Sequence, residues 1–379
     1  MSKIIHMPRI TVPTVLLGAI ATALLLSCSK TASNNQPTPD KQRPVKIVSW
    51  GGQFQDDMRV NWWQPAAQKC GVDFESGSWD GDYGALSSRI RKGINDWDLV
   101  HVEAHYVKSP EAASLFESFP ARKLTRVNPQ LKNEFAVPIL EYGYVLAYRT
   151  DLFKAETAPN WTTFFDPQAV PGHRALRDFP VGNIEIALIS KGYNVEETLY
   201  SSALPRAQVE QRVDEALQQF DRIKPSIIWW TSGDQLQRIL TGGEAPLTAA
   251  WSGRVWSAHK QLCPNVPLEN CSLKANEQTS LVSTDWWIIP KNAPNARRAN
   301  DFLECMYSEN EAITGAQKFQ FAQGYALPLE GLQIEDPVAR YYLGLGSSAN
   351  TKVQGRIQEE FWSTNFEWIN ARWLTWRSR

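Results

Sequence analysis

The sequence predicts an α/β protein with two lobes. The chain has 379 residues, of which 43% are hydrophobic and 21% are charged, so it exceeds one ordinary domain and can fill two cores. From Val45 onward, segments with strand character alternate with segments of helical periodicity, which is typical of parallel α/β layers. No period of about 20 to 50 residues repeats, so a solenoid is not expected.

The amino-terminal segment predicts export. Lys3 and Arg9 flank the start of an apolar run over 10–26, and the letters LLSC end at Cys28. This ending resembles the bacterial lipobox, in which the cysteine is lipidated and becomes the mature amino terminus. We therefore predict a lipoprotein signal peptide over 1–28 and a lipid anchor at Cys28. A plain signal peptide or an uncleaved membrane helix is the alternative, although a span needs about 20 apolar residues.

A polar, proline-containing stretch over 29–44 predicts a flexible tether. The body that follows is expected in the periplasm, held at the outer membrane if the cell is Gram-negative. The formal net charge of the whole chain is −1, which gives no electrostatic footprint for nucleic acid. We expect no nucleic-acid partner and a monomer.

The elements of the body follow in order. Val45–Ser49 is apolar and predicts a first strand, which Trp50 ends before two glycines. Trp251 ends a later strand in the same way. Ligands bind at the carboxyl ends of strands in open α/β sheets, so both indoles are candidates for one cleft. Further strands are predicted at 98–103, 145–148, 226–230, 246–251 and 285–290, and helices at 207–223 and 297–307.

The cysteines agree with an oxidising compartment. The segment CPNVPLENC closes a short loop, so we predict a disulfide between Cys263 and Cys271. Cys70 and Cys305 either pair with each other or stay buried as thiols. Neither spacing is typical of a zinc site.

Six segments, in this order along the chain, resemble the periplasmic spermidine/putrescine-binding proteins of ABC importers: IVSWGGQFQDD, WDLVHVEAHYV, ALRDFPVGNIEIAL, KPSIIWWTSGDQLQRILTGGE, AAWSGRVW and DWWIIPKNAPNARRANDFLECM. The resemblance implies a two-lobed periplasmic-binding-protein fold of the Venus flytrap type, with a hinge between the lobes. It implies one lobe of 45–143 plus 285–332 and another of 144–284 plus 333–379. It also implies an ABC permease as partner and a ligand enclosed between the lobes.

The resemblance also implies ligand contacts. Trp50 matches the tryptophan that flanks the polyamine chain, and Trp251 matches a second aromatic wall. Asp285 matches a carboxylate that holds an ammonium. His105 falls where some relatives have a tyrosine, and Tyr325 matches an aromatic residue near the ligand.

Four further residues complete the predicted contacts. Trp230 is placed in the cleft because it is the member of the Trp229-Trp230 pair nearer the following loop. Arg254 stands where putrescine-binding relatives have an aspartate, and its guanidinium would repel a diamine and suit a carboxylate. Asp178 and Glu185 could neutralise it. The expected ligand is a polyamine or related small amino compound, and the alternative is a zwitterionic ω-amino acid such as 4-aminobutyrate.

Other readings of these residues stay open. The tryptophans could fill a core, Asp285, Asp178 and Glu185 could cap turns or helices, and Arg254 could be a surface charge. His101, Glu103 and His105 in HVEAH could share one face of a strand as a metal set, but about 13 Å of chain separates the histidines. An exported enzyme or glycan-binding protein is the competing class. With no hydrolase, metalloprotease or P-loop motif, we expect no catalysis, no cofactor and no metal.

Overall fold

The computed structural model describes most of the chain from Arg43 onward. The described residues are 43–118, 124, 131, 133–153, 157–308, 310, 314–315, 336–347 and 350–379. The predicted signal peptide with Cys28, most of the tether, and Tyr325 lie outside them. None of the helices in these ranges is long and apolar enough to cross a membrane.

A single mixed sheet runs through the described part of the chain. Its strand order is β2-β1-β3-β8-β4-β7-β5-β6, and β9 pairs with β8. The strands are β1 Val45–Ser49, β2 Phe74–Ser78, β3 Leu99–Glu103, β4 Val137–Arg149, β5 Arg174–Arg177, β6 Ile227–Trp230, β7 Leu247–Trp251, β8 Leu273–Ile288 and β9 Gly355–Arg356.

Helices connect and cover these strands. They are α1 Gly52–Met58, α2 Gln64–Cys70, α3 Tyr83–Arg91, α4 Ala104–Val107, α5 Ala112–Leu115, α6 Trp161–Phe164, α7 Asn183–Ser190, α8 Val195–Thr198, α9 Arg206–Asp221, α10 Gly233–Gly242, α11 Ser252–Leu262, α12 Ala296–Ser308, α13 Pro337–Leu345 and α14 Glu359–Arg377. A π-helical turn, Arg59–Trp63, joins α1 to α2. The sequence sets both ends of α10. At its start the Ser232 side chain accepts a hydrogen bond from the backbone N–H of Gln235, and at its end Gly243 adopts a positive φ of 68°.

The parallel layers expected from the sequence form only on the two sides of the sheet. β1 pairs in parallel with β2 and β3, and β5 pairs in parallel with β6 and β7. In the centre, β8 is antiparallel to β3 and β4, and β4 is antiparallel to β7. The sheet is therefore mixed: the parallel layers expected from the sequence form its two sides, and β4 and β8, long strands of 13 and 16 residues, add antiparallel pairing in the centre.

The apolar core divides along these two strands. One cluster gathers Tyr144–Tyr148 of β4 with residues of α7, α9, β6 and α14. Two others gather residues of β1, α2, α3 and α12 with the first half of β4 and with Trp286, Trp287 and Ile288 of β8. We keep the lobe boundaries, 45–143 plus 285–332 and 144–284 plus 333–379, as a proposal.

Two disulfides tie the body together. Cys263 pairs with Cys271 and closes the short loop after α11. Cys70, at the end of α2, pairs with Cys305 of α12, which settles the choice that the sequence left open.

Candidate functional site

A cavity, partly open to solvent, lies at the carboxyl ends of several strands. Glu103, Arg177 and Trp251 are the last residues of β3, β5 and β7, and Trp50 directly follows β1. This is the edge at which ligands bind in open α/β sheets. The lining residues are Trp50, Phe54, Trp79, Asp80, Glu103, Leu140, Tyr142, Arg177, Thr231, Ser232, Gly233, Trp251, Gly253, Arg254 and Asp285.

Trp50 forms one aromatic wall. Its ring stacks on Trp79, with centroids 5.5 Å apart and planes 12° from parallel. Its Nε1 donates a hydrogen bond to Oδ2 of Asp285 at 3.0 Å. Gly51 and Gly52, both at positive φ (69° and 63°), turn the chain from β1 into α1 directly after the indole.

Asp285 is a buried carboxylate with one oxygen left over. Its Oδ2 also contacts Nε2 of His101 at 2.8 Å, and Nδ1 of His101 lies 2.9 Å from the Ser49 hydroxyl. Oδ1 is buried without a hydrogen-bond partner among the described residues. Burial raises the pKa of Asp285, an effect that the nearby Glu103 charge reinforces and that His101 and Trp50 oppose.

Glu103 and Arg177 form a buried ion pair in the same cavity. Nη1 and Nη2 of Arg177 donate to the two carboxylate oxygens of Glu103 at 2.6 and 3.2 Å. The guanidinium carbon lies 4.2 Å from the ring centroid of Phe179 and 4.9 Å from that of Trp251. Burial acts to raise the pKa of Glu103, but the charge and hydrogen bonds of Arg177 outweigh it and the pKa is lowered.

Arg254, in the first turn of α11, is a buried cation with long contacts. Its residue is 6% exposed. Nη1 lies 3.3 Å from Oδ1 of Asp234, whose side chain is 52% exposed, and Nη2 lies 3.5 Å from the Gly51 carbonyl oxygen. The guanidinium carbon is 5.7 Å from the Phe54 ring centroid. The alternative that Arg254 is a solvated surface charge is therefore wrong.

Trp251 lines the cavity, but Trp230 does not. The Trp230 ring is fully buried and meets Trp251 edge to face, with centroids 4.8 Å apart. Trp230 was predicted to line the cleft, but it does not. Alternation along β6 turns its side chain into the core behind Trp251.

Three other predicted contacts lie away from this cavity. His105 and Asp178 line a neighbouring depression, where Asp178 accepts the Trp373 indole N–H at 3.1 Å. Glu185 is completely buried inside the fold, where it accepts the Gly182 backbone N–H at 2.8 Å and the Trp362 indole N–H at 2.5 Å. These two carboxylates therefore do not neutralise Arg254.

The HVEAH segment does not form the strand that the metal alternative requires. β3 ends at Glu103, and His105 lies in α4. Within the described ranges, no three His, Cys, Asp or Glu residues are grouped to hold a metal ion. His101 and Glu103 instead contact Asp285 and Arg177.

The structure thus brings together Trp50, Trp251, Arg254 and Asp285 out of the predicted contacts. Sequence reasoning missed the pairing of Glu103 with Arg177 and the stacking of Trp79 on Trp50. Glu103 stood at the end of the strand predicted at 98–103, and that position was the available signal, whereas the strand that ends at Arg177 was not among the predicted ones.

Three comparisons place the chain among known proteins. The chain is 24% identical to a gamma-aminobutyric acid-binding protein of Pseudomonas aeruginosa over 89% of this chain and 92% of that protein. It is 21% identical to the putrescine-binding periplasmic protein PotF of Escherichia coli over 76% of this chain and 78% of that protein. It superposes on the crystal structure of an ABC transporter substrate-binding protein from Bradyrhizobium japonicum USDA 110 with a TM-score of 0.72 and 25% identity, covering 88% and 99% of the two chains.

These neighbours are two-lobed periplasmic binding proteins, which confirms the fold class expected from the sequence. They are solute-binding proteins and not enzymes, as expected. The family model described as "Bacterial extracellular solute-binding protein" matches residues 62–341. The chain therefore belongs to the bacterial extracellular solute-binding protein family and is the substrate-binding protein of an ABC transporter.

Proposed function

We propose that this protein captures a small zwitterion with an ammonium at one end and a carboxylate at the other, an ω-amino acid such as 4-aminobutyrate, and delivers it to its permease. One observation carries the proposal. A single cavity holds the buried, unpartnered Oδ1 of Asp285 and the buried, loosely contacted guanidinium of Arg254.

The ammonium end would bind at Asp285. A buried carboxylate oxygen without a donor is unfavourable, so an arriving N–H supplies what the site lacks. Trp50 and Trp79 cover this region with indole faces, which attract cations by roughly 0.5 to 2 kcal/mol and bury methylene groups.

The carboxylate end would bind at Arg254. A guanidinium offers a planar fork that matches a carboxylate, and the 3.3 and 3.5 Å contacts to Asp234 and Gly51 leave it weakly held. The hydroxyl groups of Thr231 and Ser232 line the cavity as further polar groups.

A polyamine is the second candidate, and it was the first expectation from the sequence. It is supported by the putrescine-binding relative and by the neighbouring carboxylates of Glu103 and Asp285. Glu103 is already bound to Arg177, which leaves one unpaired carboxylate and one guanidinium. The gamma-aminobutyric acid-binding relative agrees with this pairing, so the zwitterion is preferred.

The mechanism follows from the two-lobed fold. Glu103 and Asp285 belong to one proposed lobe, and Arg177, Trp251 and Arg254 belong to the other. A ligand that contacts both sets stabilises the closed form and shifts the population toward it, and the permease would bind that form. We keep the lipid anchor at Cys28, the periplasmic location and the monomeric state as parts of this proposal.

The test is calorimetric titration of 4-aminobutyrate and putrescine into the protein and into Asp285→Asn and Arg254→Gln variants. We expect the protein to prefer 4-aminobutyrate. Each variant should lose at least tenfold in affinity, about 1.4 kcal/mol, because an ion of the ligand loses its partner.

Asp73→Asn and Arg297→Gln, which change exposed residues outside the cavity lining, are the matched controls and should bind normally. Unchanged titrations of both site variants would contradict the site. Thermal stabilisation by oligosaccharides alone would contradict the ligand class.

A further inference from the structure

We infer that the Glu103–Arg177 ion pair determines the ligand charge that the cavity accepts, by withdrawing a second carboxylate from it. This inference rests on the proposed function. It assigns a specificity role to two residues that were not among the predicted contacts.

Glu103 and Asp285 form a pair of neighbouring acids at the floor of the cavity. They are directly opposed across the antiparallel β3–β8 ladder, so their side chains share one face of the sheet. Glu103 is 4% exposed and Asp285 is 5% exposed. Two carboxylates so placed repel each other and together would suit two ammonium groups.

Arg177 removes one of these two sites. Arg177 forms a bidentate ion pair with Glu103 that occupies both carboxylate oxygens, so neither is left for a ligand ammonium. The rings of Phe179 and Trp251 hold the guanidinium in place. Two tyrosines also hold Glu103: its backbone N–H donates to the Tyr83 hydroxyl oxygen at 2.8 Å, and the Tyr142 hydroxyl donates to its Oε1 at 3.4 Å.

The remaining charges then match a zwitterion. The acidic and basic residues in the cavity lining are Asp80, Glu103, Arg177, Arg254 and Asp285. With Glu103 and Arg177 paired and Asp80 exposed, the buried partners left are one acid, Asp285, and one base, Arg254. A diamine would find a partner for one end and would meet a like charge at the other.

The experiment measures selectivity and not affinity alone. The dissociation constants of putrescine and 4-aminobutyrate are determined for the parent protein, Arg177→Gln, Glu103→Gln and the double variant. Arg177→Gln frees the Glu103 carboxylate, so the ratio should move at least tenfold toward putrescine. Glu103→Gln frees a cation, so the ratio should move away from putrescine. The double variant removes both charges and should return to within about threefold of the parent ratio.

The double variant distinguishes charge selection from a structural role. A pair that merely supports the fold would weaken the binding of both ligands together and leave the ratio unchanged in all four proteins, which would overturn the inference.

Thermal unfolding is measured with each titration, because Arg177→Gln leaves a buried charge unpaired. If Arg177→Gln does not fold, Glu103→Gln and the double variant still test the inference: the first should shift the ratio of dissociation constants away from putrescine, and the second should restore the parent ratio. A parent protein that binds neither ligand would refute the proposed function, whereas a parent that prefers 4-aminobutyrate with a fixed ratio in the variants would refute only this inference.

Discussion

Asp285 shows how a single buried carboxylate is prepared for a ligand. While it is ionised it can only accept, so the Nε2 of His101 that contacts it must carry the hydrogen. In the tautomer that carries its hydrogen on Nε2, His101 accepts at Nδ1 from the Ser49 hydroxyl. With the Trp50 indole as the second donor, one oxygen is fixed from two sides and the other is left for the ligand.

His105 predicts how stability depends on pH. Burial among aromatic rings lowers its pKa to about 4, with Arg177 acting in the same direction and Glu103 opposing it. Because the folded protein holds His105 neutral, its contribution to the free energy of unfolding is fully present above the unfolded pKa of about 6.5. That contribution, up to about 3 kcal/mol, is lost as the pH falls toward 4 and the unfolded chain takes up the proton. In urea titrations, His105→Phe should flatten this part of the pH profile.

The control for that profile is His173→Gln, which changes an exposed histidine and should leave the slope in place. Equal slopes for the parent and His105→Phe would contradict the assignment.

The disulfides differ in how much chain they constrain. Cys70 and Cys305 are 235 residues apart and join α2 to α12, whereas Cys263 and Cys271 are 8 residues apart. In the chain-entropy description, the longer loop stabilises by about 3 kcal/mol more. Replacing the first pair by serines should therefore lower the free energy of unfolding more than replacing the second. Equal losses in urea unfolding would count against this account.

Helices and strands with clear local signals could be predicted from the sequence. The helix expected at 297–307 is Ala296–Ser308, and the strand expected at 98–103 is Leu99–Glu103. The lengths of β4 and β8 could not be predicted, because the polar stretch in the first half of β8 is held by pairing with distant β4 and not by its own pattern.

The same limit applies to the cavity. Trp50 and Trp251 could be located because each ends an apolar run, which is a local pattern. The Glu103–Arg177 pair joins positions 74 residues apart and depends on how β3 and β5 are brought together. Trp230 was placed wrongly because alternation tells which side chains share a face but not which face meets the cleft.

Several ion pairs and hydrogen bonds join the two proposed lobes, as a closed arrangement would require. Arg177 reaches Glu103, and Nη2 of Arg254 lies 3.5 Å from the Gly51 carbonyl oxygen. Lys108, directly after α4, pairs with Glu359 and Glu360 at the start of α14, at 3.2 and 2.6 Å. The two proposed lobes are therefore in contact at the cavity and also between Lys108 and the start of α14.

Gly52 provides a test of this closed arrangement. A Cβ added there would overlap the Asp234 carboxylate of the opposite lobe. Gly52→Ala should weaken 4-aminobutyrate binding by a few-fold, because closure then requires the half-exposed Asp234 side chain to rotate away from Arg254. Gly71→Ala is the matched control, because Gly71 has the same φ of 63° and nothing within 4 Å of the added atom.

Both glycine variants should lose similar stability from backbone strain, and only Gly52→Ala should lose affinity, as measured by calorimetry and thermal unfolding. Equal affinity in the two variants would show that closure does not need this close approach.

The passage of β4 and β8 through more than one apolar cluster has a consequence for how such proteins can diversify. Tyr144–Tyr148 lie in one core, and Val137 and Leu140 of the same strand lie in another. A gene exchange at the proposed lobe boundaries, 143/144 and 284/285, would therefore split β4 and β8 between two parents. New ligand preferences are reached more readily by point changes in the cavity lining, such as at Arg177 at the end of β5 or at Arg254 in the first turn of α11, than by exchanging one proposed lobe.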